Sequence, residues 1–356
     1  MKISKIPGFG QFGHYIDDVD FNELTDATWQ EIGQIHLKGL LTILRNVTIS
    51  KDQFIYRMQQ FGPIKADTRQ HFMKKYGRVP DALDEKSLEG IDPDDQLYFK
   101  TKRHMLEKTE EGNFLTRVTG ERDKDGNPLG FFDSGDLGWH SNGSGTLTFT
   151  PEVSLLGDTD MVGSATSFIQ TVDYYDSLSS SFRSELDEMI LIHNYTPGKI
   201  NQSEIDDPIV RIGIKLAFCP VDGNEVPLVV SSPGGHRGLH YTINTATGIR
   251  GMTDQESAKV FEEIDRGLFK HEYMYDHYYT QNNDLLLFDN SVTLHRRIKG
   301  SEKRKAFRIQ YDPSLLLDTA WQPYHQPEFK KKYSQDCNEL IRVLGLKNFK
   351  LPDLIT

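Results

Sequence analysis

Cysteine is scarce in this chain. Only Cys219 and Cys337 occur in 356 residues, too few for a disulfide framework or a structural zinc site, each of which draws on several thiols. Long apolar runs are missing too: none approaches the roughly 20 residues that cross a bilayer. The opening Met1-Lys-Ile-Ser-Lys-Ile-Pro7 lacks the apolar centre of a signal peptide, so a reducing cytoplasm is the expected compartment. Basic charge is short as well. With 41 Lys and Arg against 52 Asp and Glu, the formal charge is −11, the wrong sign for nucleic acid or an anionic membrane. The local exception is the run Arg296-Arg-Ile-Lys-Gly-Ser-Glu-Lys-Arg-Lys305. Internal repeats and linkers of disordered composition are absent. What is present is an ordinary globular composition, 37% hydrophobic, which is enough to bury a core. A single domain over residues 1–356 is expected, with homo-oligomerisation open.

Along the chain, residues 25–38 have helical spacing, with Trp29, Ile32, Ile35 and His36 on one side and Asp26 near the start. Gly39-Leu-Leu-Thr-Ile-Leu-Arg45 reads as a buried strand. A second helix follows over residues 50–61, with Ser50 and Asp52 available for capping and Gly62-Pro63 ending it. Residues 65–112 are charged and aperiodic, which suits a lid or insertion. Residues 114–119 and 129–133 read as strands around Asp125-Gly-Asn-Pro128, a turn signal. Strand-like residues alternate with turns over 146–172, residues 176–188 are helical, and strands return over 210–244. Thr253-Asp-Gln-Glu256 is a capping box opening a helix over 253–267. Residues 273–279 read as aromatic core and residues 285–294 as one buried strand. A C-terminal extension over 313–356 carries a helix at 330–344. Many strands with few helices gathered outside them predict a mainly β fold, a double-stranded β-helix (jelly roll) with flanking helices.

Within this frame one short stretch carries chemistry: Gly135-Asp-Leu-Gly-Trp-His-Ser-Asn-Gly143. On a strand, residues i and i+2 share a face, so His140 and Asn142 can aim at one point while Ser141 faces away. A second imidazole comes from His295, at the far end of Leu285-Leu-Leu-Phe-Asp-Asn-Ser-Val-Thr-Leu-His295. Downstream, Arg304-Lys-Ala-Phe-Arg308 places two guanidiniums on one face of a strand, able to hold a dicarboxylate. Two imidazoles, an oxygen ligand and open positions describe non-haem Fe(II) oxygenase chemistry. A lone histidine is more often structural than a ligand. His236 and His240, in Pro233-Gly-Gly-His-Arg-Gly-Leu-His-Tyr241, read as loop or hairpin residues for that reason.

These residues resemble, in order, the motifs of the taurine dioxygenase and clavaminate synthase-like family of Fe(II)/2-oxoglutarate-dependent oxygenases. The resemblance runs from Gly8 to about Asp312. It rests on the segment from Gly39 to Pro63, on Trp139-His140, on Gly163-Ser-Ala-Thr-Ser-Phe168, on Phe288 to His295, and on the pair Arg304 and Arg308. It implies His140 and His295 as metal ligands, Thr166 and Arg304 on the far carboxylate of 2-oxoglutarate, and Arg308 close by, reaching substrate. It implies Fe(II), 2-oxoglutarate and O2 as cofactor and co-substrates, and hydroxylation of an unactivated C–H bond of a small polar metabolite.

The departure from the family's pattern is Asn142, where the usual third ligand is Asp or Glu. Three outcomes follow. Asn142 or a water completes the metal site and oxygenation survives. A halide takes the position, chloride entering the cofactor set, and the enzyme halogenates. Or the site is weak and the protein is a non-catalytic jelly-roll binder. The acidic overall balance points to a cationic or zwitterionic substrate, whereas Arg308 facing substrate points to an anionic group.

Overall fold

The computed structural model describes residues 1–64, 76–77, 85–92, 96, 106–124, 126, 129–130, 137–145, 149–194, 224–319 and 321. The strand expected over 131–133, the strands over 210–223, the C-terminal helix and most of the 65–112 segment lie outside these residues, as do both cysteines.

Two sheets carry the architecture. The larger runs, edge to edge, β1 (Lys2–Lys5), β2 (His14–Asp17), β3 (Leu41–Leu44), β15 (Leu285–Asp289), β7 (Glu152–Thr159), β17 (Lys305–Tyr311), β5 (Phe114–Thr119) and β4 (Leu106–Lys108). The smaller runs β14 (Met274–Tyr278), β8 (Ala165–Gln170), β16 (Thr293–Lys299) and β6 (Leu137–His140). Within these two sheets pairing is antiparallel apart from β2 with β3. Beside them lie a three-stranded sheet of β10 (Asn224–Pro227), β9 (Ile190–His193) and β13 (Ala246–Ile249), and the hairpin of β11 (Val229–Ser231) with β12 (Arg237–Leu239).

Strand β15 explains how the layers stack. It is central in its sheet and covered on both faces, so it is a continuous apolar run rather than an alternating one. Leu285 and Leu287 join Trp29, Phe54, Phe61 and Phe307 in a core on one face. Leu286 and Phe288 join Val153 and Phe168 in a second core between the sheets, where the rings of Phe168 and Phe288 meet with centroids 5.2 Å apart. Burying each such side chain stabilises the fold by about 1.5–3 kcal/mol.

Helices α1 (Asp26–Gly39) and α2 (Lys51–Gln59) cover the first core. Thr25 caps α1, accepting from Thr28 N at 3.2 Å, and α1 stops at Leu40, which turns left-handed (φ 60°). Ser50 and Gln53 form a capping box at the start of α2. The helix expected over 176–188 is two helices, α3 (Val172–Ser177) and α4 (Ser180–Asp187). The chain extends between them at Leu178 and Ser179, and Ser179 caps the second. Helix α5 (Asp254–Leu268) starts on the capping box of Thr253 and Glu256. No helix among the described residues is long and apolar enough to cross a membrane.

One strand reading needs correction. Residues 285–294 are not one strand: β15 ends at Asp289, whose carboxylate accepts from Ser291 N at 2.9 Å and Val292 N at 2.6 Å. That local competition for backbone donors breaks the strand and passes the chain from the larger sheet to the smaller one. The aromatic run at 273–279 contributes Tyr273 and Tyr279 to the core, while β14 between them is an edge strand whose Tyr278 is exposed.

Candidate active site

The site forms where the last residue of β6 pairs with the third residue of β16. His140 and His295 are register partners across that pair, with ring centroids 4.2 Å apart and planes at 49°. Two imidazoles bound side by side to one ion at about 2.1 Å per nitrogen hold their ring centres roughly 4–5 Å apart, so the spacing suits a shared metal. The Nδ1–H of His140 donates to Gly138 O at 2.8 Å, which sets the tautomer with the lone pair on Nε2. His295 Nδ1 is buried without a hydrogen-bond partner among the described residues. Burial holds His140 down to about 4, with Arg308 and Arg297 adding to the effect. Burial, then His140 and Arg308, hold His295 well below the ordinary histidine value. Both rings are neutral at pH 7, the state a metal needs.

Asn142 lines the same pocket, although not from a strand. Strand β6 ends at His140 and Asn142 opens a turn over residues 142–145, so the i, i+2 reading of a continuing strand is corrected. Its Oδ1 accepts from Arg308 Nη1 at 3.4 Å. An amide oxygen has two lone pairs, and this contact leaves one for a metal. Its Nδ2 is buried without a hydrogen-bond partner among the described residues. Ser141 points elsewhere, its hydroxyl donating to Thr293 O at 3.3 Å. Among the described residues no group of three or more His, Cys, Asp or Glu side chains could hold a metal. Among the described residues, the donors this pocket could offer a metal are two imidazoles and an amide, with no charge. Nitrogen and oxygen donors of this kind suit Fe(II), though less tightly than a set with a carboxylate.

The pocket holds about 620 Å³, its open mouth included. One end is basic and hydroxylated. Thr166, on β8, lies 3.3 Å through its Oγ1 from Tyr279 Oη, and burial keeps the Tyr279 hydroxyl protonated. Ser164 Oγ is buried without a partner among the described residues. Arg304 is buried and lines the pocket. It precedes β17 rather than lying on it, in a turn where its N–H donates to Ser301 O at 3.2 Å, so the expected shared strand with Arg308 is corrected. Its side chain crosses Gly300 so closely that a Cβ there would sit 2.5 Å from Nε. Arg308 is on β17, and Arg297, paired with Thr166 across β16 and β8, also lines the pocket. The described lining holds no acidic side chain, which runs against the cationic substrate suggested by the overall charge.

His236 and His240 are not part of this donor set. His236 sits on the β11–β12 hairpin with Nε2 on Lys38 O at 3.0 Å. His240 donates from Nδ1 to Ser291 O at 2.8 Å and accepts at Nε2 from Ser144 Oγ at 3.0 Å. Sequence reasoning missed Ser164, Tyr279, Arg297 and Asn290. Only Asn290 had a local signal, since Asp-Asn-Ser is turn chemistry inside an apolar run.

Two facing, mainly antiparallel sheets with two histidines at one mouth, a buried arginine and further half-buried arginines beside them define the non-haem iron oxygenases of the double-stranded β-helix class. The chain belongs to the taurine catabolism dioxygenase TauD, TfdA family, whose model matches residues 2–310, and it is accordingly a non-haem iron, 2-oxoglutarate-dependent oxidoreductase. Solved structures give the same fold. AAD-2, solved with Mn(II) and N-oxalylglycine, is similar at 16% identity and a TM-score of 0.59, covering 87% of this chain and 96% of that one. A taurine dioxygenase from Burkholderia xenovorans is similar at 17% identity and a TM-score of 0.57, covering 87% and 88%. No curated protein matches the sequence.

Proposed function

We propose that this enzyme hydroxylates an unactivated C–H bond of a small polar metabolite that carries an anionic group. The reading is carried by one observation: His140, His295, Asn142 and the arginines Arg297, Arg304 and Arg308 line a single pocket. His140, His295 and Asn142 would hold Fe(II). Arg304, with the hydroxyls of Thr166 and Ser164, would take the far carboxylate of 2-oxoglutarate, since a guanidinium makes two charge-assisted hydrogen bonds to it. Arg308, beside Asn142, and Arg297 remain to orient an acidic substrate. Iron with 2-oxoglutarate and O2 supplies the oxidising power, 2-oxoglutarate leaving as succinate and CO2 while one oxygen atom enters the substrate. The apolar wall of Val118, Val153, Leu155 and Phe288 excludes water and lets the substrate's C–H bond lie dry. A cytoplasmic enzyme is consistent with the scarcity of cysteine.

The test is anaerobic. Fe(II) and 2-oxoglutarate added to the protein should give the weak visible charge-transfer band of a chelated 2-oxo acid. Succinate should then form faster with members of a panel of carboxylates, sulfonates and phosphates than with amines. Absence of the band would sink the oxygenase reading, and a band that shifts with chloride would point to halogenation. Changing Asn142→Asp adds the missing charge at the site. It should tighten Fe(II) about tenfold, roughly 1.4 kcal/mol, in a metal titration; unchanged affinity would remove position 142 from the ligand set.

A further inference from the structure

We infer that Asn290 is the positioning residue for Asn142, and that it ties the two metal-binding segments to one turn. This rests on the reading of His140, Asn142 and His295 as the metal site. Asn142 follows the end of β6 and precedes Gly143, which is left-handed (φ 70°). The β6–β16 ladder fixes His140 and stops there, so the next residues need another anchor. The primary amide of Asn290 supplies it from both sides. Asn142 N donates to Asn290 Oδ1 at 2.8 Å, and Asn290 Nδ2 donates to Asn142 O at 2.9 Å. The same Nδ2 donates to Thr150 O at 2.9 Å, and Asn290 N donates to Pro151 O at 2.6 Å. Asn290 is fully buried.

Three segments therefore converge on one side chain: the 142–145 turn, the approach to β7, and the turn between β15 and β16 that delivers His295 five residues later. A carboxylate could not replace this amide, because it lacks the two donors; a glutamine would overreach; an apolar side chain would leave the Asn142 and Thr150 carbonyls and the Asn142 N–H buried and unpaired. A second tie runs from the same turn. Ser291 O accepts from His240, whose other ring nitrogen accepts from Ser144 Oγ, and Thr242 Oγ1 donates to Ser144 Oγ at 2.8 Å. With His140 held by the ladder and Ser144 by His240, loss of Asn290 frees Asn142 alone between two fixed points.

A turn-forming asparagine with a merely structural role would lower stability, and its loss would change metal affinity equally whether or not Asn142 is present. The experiment is a cycle of Asn290→Ala with Asn142→Ala on the full chain. Co(II) is the probe, read by its affinity and ligand-field spectrum, with thermal unfolding measured in parallel. Loss of an outer hydrogen-bond partner of a metal ligand typically costs 10–100-fold in affinity. Asn290→Ala should weaken Co(II) binding by about tenfold or more in the parent and by less than about twofold in the Asn142→Ala background. Its effect on the unfolding temperature should be equal in both. Equal loss of affinity in the two backgrounds would overturn the proposal. So would an Asn142→Ala variant with unchanged affinity and spectrum, although loss of Co(II) binding on His295→Ala would then leave the metal-site reading standing. Should Asn290→Ala fail to fold, Asn290→Ser keeps the turn propensity, shortens the reach, and carries the same cycle with the same two outcomes.

Discussion

Buried histidines lie on both sides of the larger sheet, and the two sides use histidine in opposite ways. On the pocket face, His140 and His295 stand together with arginines and an amide. On the helix-covered face, His36 of α1 meets Glu152 of β7 at 2.7 Å, both side chains essentially inaccessible. Asp289 is the register partner of Glu152 across β15 and β7. Burial pushes Glu152 well above the carboxylate range and holds His36 down to about 4. Asp289 rises to about 8 through burial and the facing Glu152, against three hydrogen bonds from Ser291 and Val292 that favour its ionised form. These two carboxyl groups thus lie where no ligand reaches and are driven toward neutrality, while the described lining of the pocket has none. Strand alternation enforces the separation: Val153 and Phe288 face the pocket, so Glu152 and Asp289 cannot. Neither acid can stand in for the carboxylate that Asn142 replaces.

The sharpest way to break this contrast is to remove one histidine from the pocket face. His295→Ala should abolish Fe(II) binding in anaerobic equilibrium dialysis while the unfolding temperature stays close to that of the parent. Retained iron would mean the metal lies elsewhere. On the other face, Glu152→Ala should do the reverse. Leaving a buried imidazole without its partner and opening a cavity should cost about 3 kcal/mol of unfolding free energy in urea, with Fe(II) affinity unchanged. A change in metal affinity would show that the two faces communicate. Within the pocket, Arg304→Ala should raise the 2-oxoglutarate concentration for half-saturation by about 30-fold, roughly 2 kcal/mol, with little change in stability.

The smallest expected effect is on pH. His36 and His240 are held to about 4 and His193 to about 3, mainly by burial. Their folded values lie below the unfolded 6.5, so their contribution is present above pH 6.5 and is lost as pH falls toward 4. Asp289 and Glu152 are raised, so theirs is present below about pH 4 and is lost as pH rises, through about 8 for Asp289. With His140 and His295 shifted the same way, the buried histidines outweigh the two acids on the acid side, and only the acids act above 6.5. Stability of the metal-free protein should therefore peak near pH 6.5 and decline toward pH 8 by up to about 1.4 kcal/mol per pH unit for each acid. Asp289→Asn should flatten the alkaline limb in a series of melts across that range; an unchanged limb would show that Asp289 ionises as freely folded as unfolded.

Local signals in the sequence located what local physics decides. The capping boxes at Ser50 and Thr253, the apolar run of β15 and the hairpin at Pro233-Gly-Gly235 all stand where side chains compete for nearby backbone groups or alternate with the pleat. The candidate site was read from spacing and residue chemistry at His140, Asn142, His295, Arg304 and Arg308 and from the family resemblance at Thr166, and these six residues line one pocket. Hydrophobic pattern could not reveal that the chain leaves the strand at Asp289, because Val292 and Leu294 remain buried on the far side of the break. Nor could it reveal the meeting of His36 with Glu152, which are 116 residues apart and joined only by packing. Arg297 read as one of a solvated basic run, since its face is decided by register with Thr166 rather than by its neighbours.

Gly300 has a consequence for co-substrate choice. Arg304 lies flat only because position 300 carries no methyl, and the atoms that a methyl would meet, Nε and Cδ of Arg304, belong to a swivelling side chain rather than to rigid backbone. Enlarging that residue would act as a shim, pressing on the Arg304 side chain and, on the proposed reading, altering the span between the metal ligands and the guanidinium. On the proposed reading of Arg304, the gauge that tells a five-carbon diacid from its shorter and longer homologues would be set, in part, by a hydrogen atom.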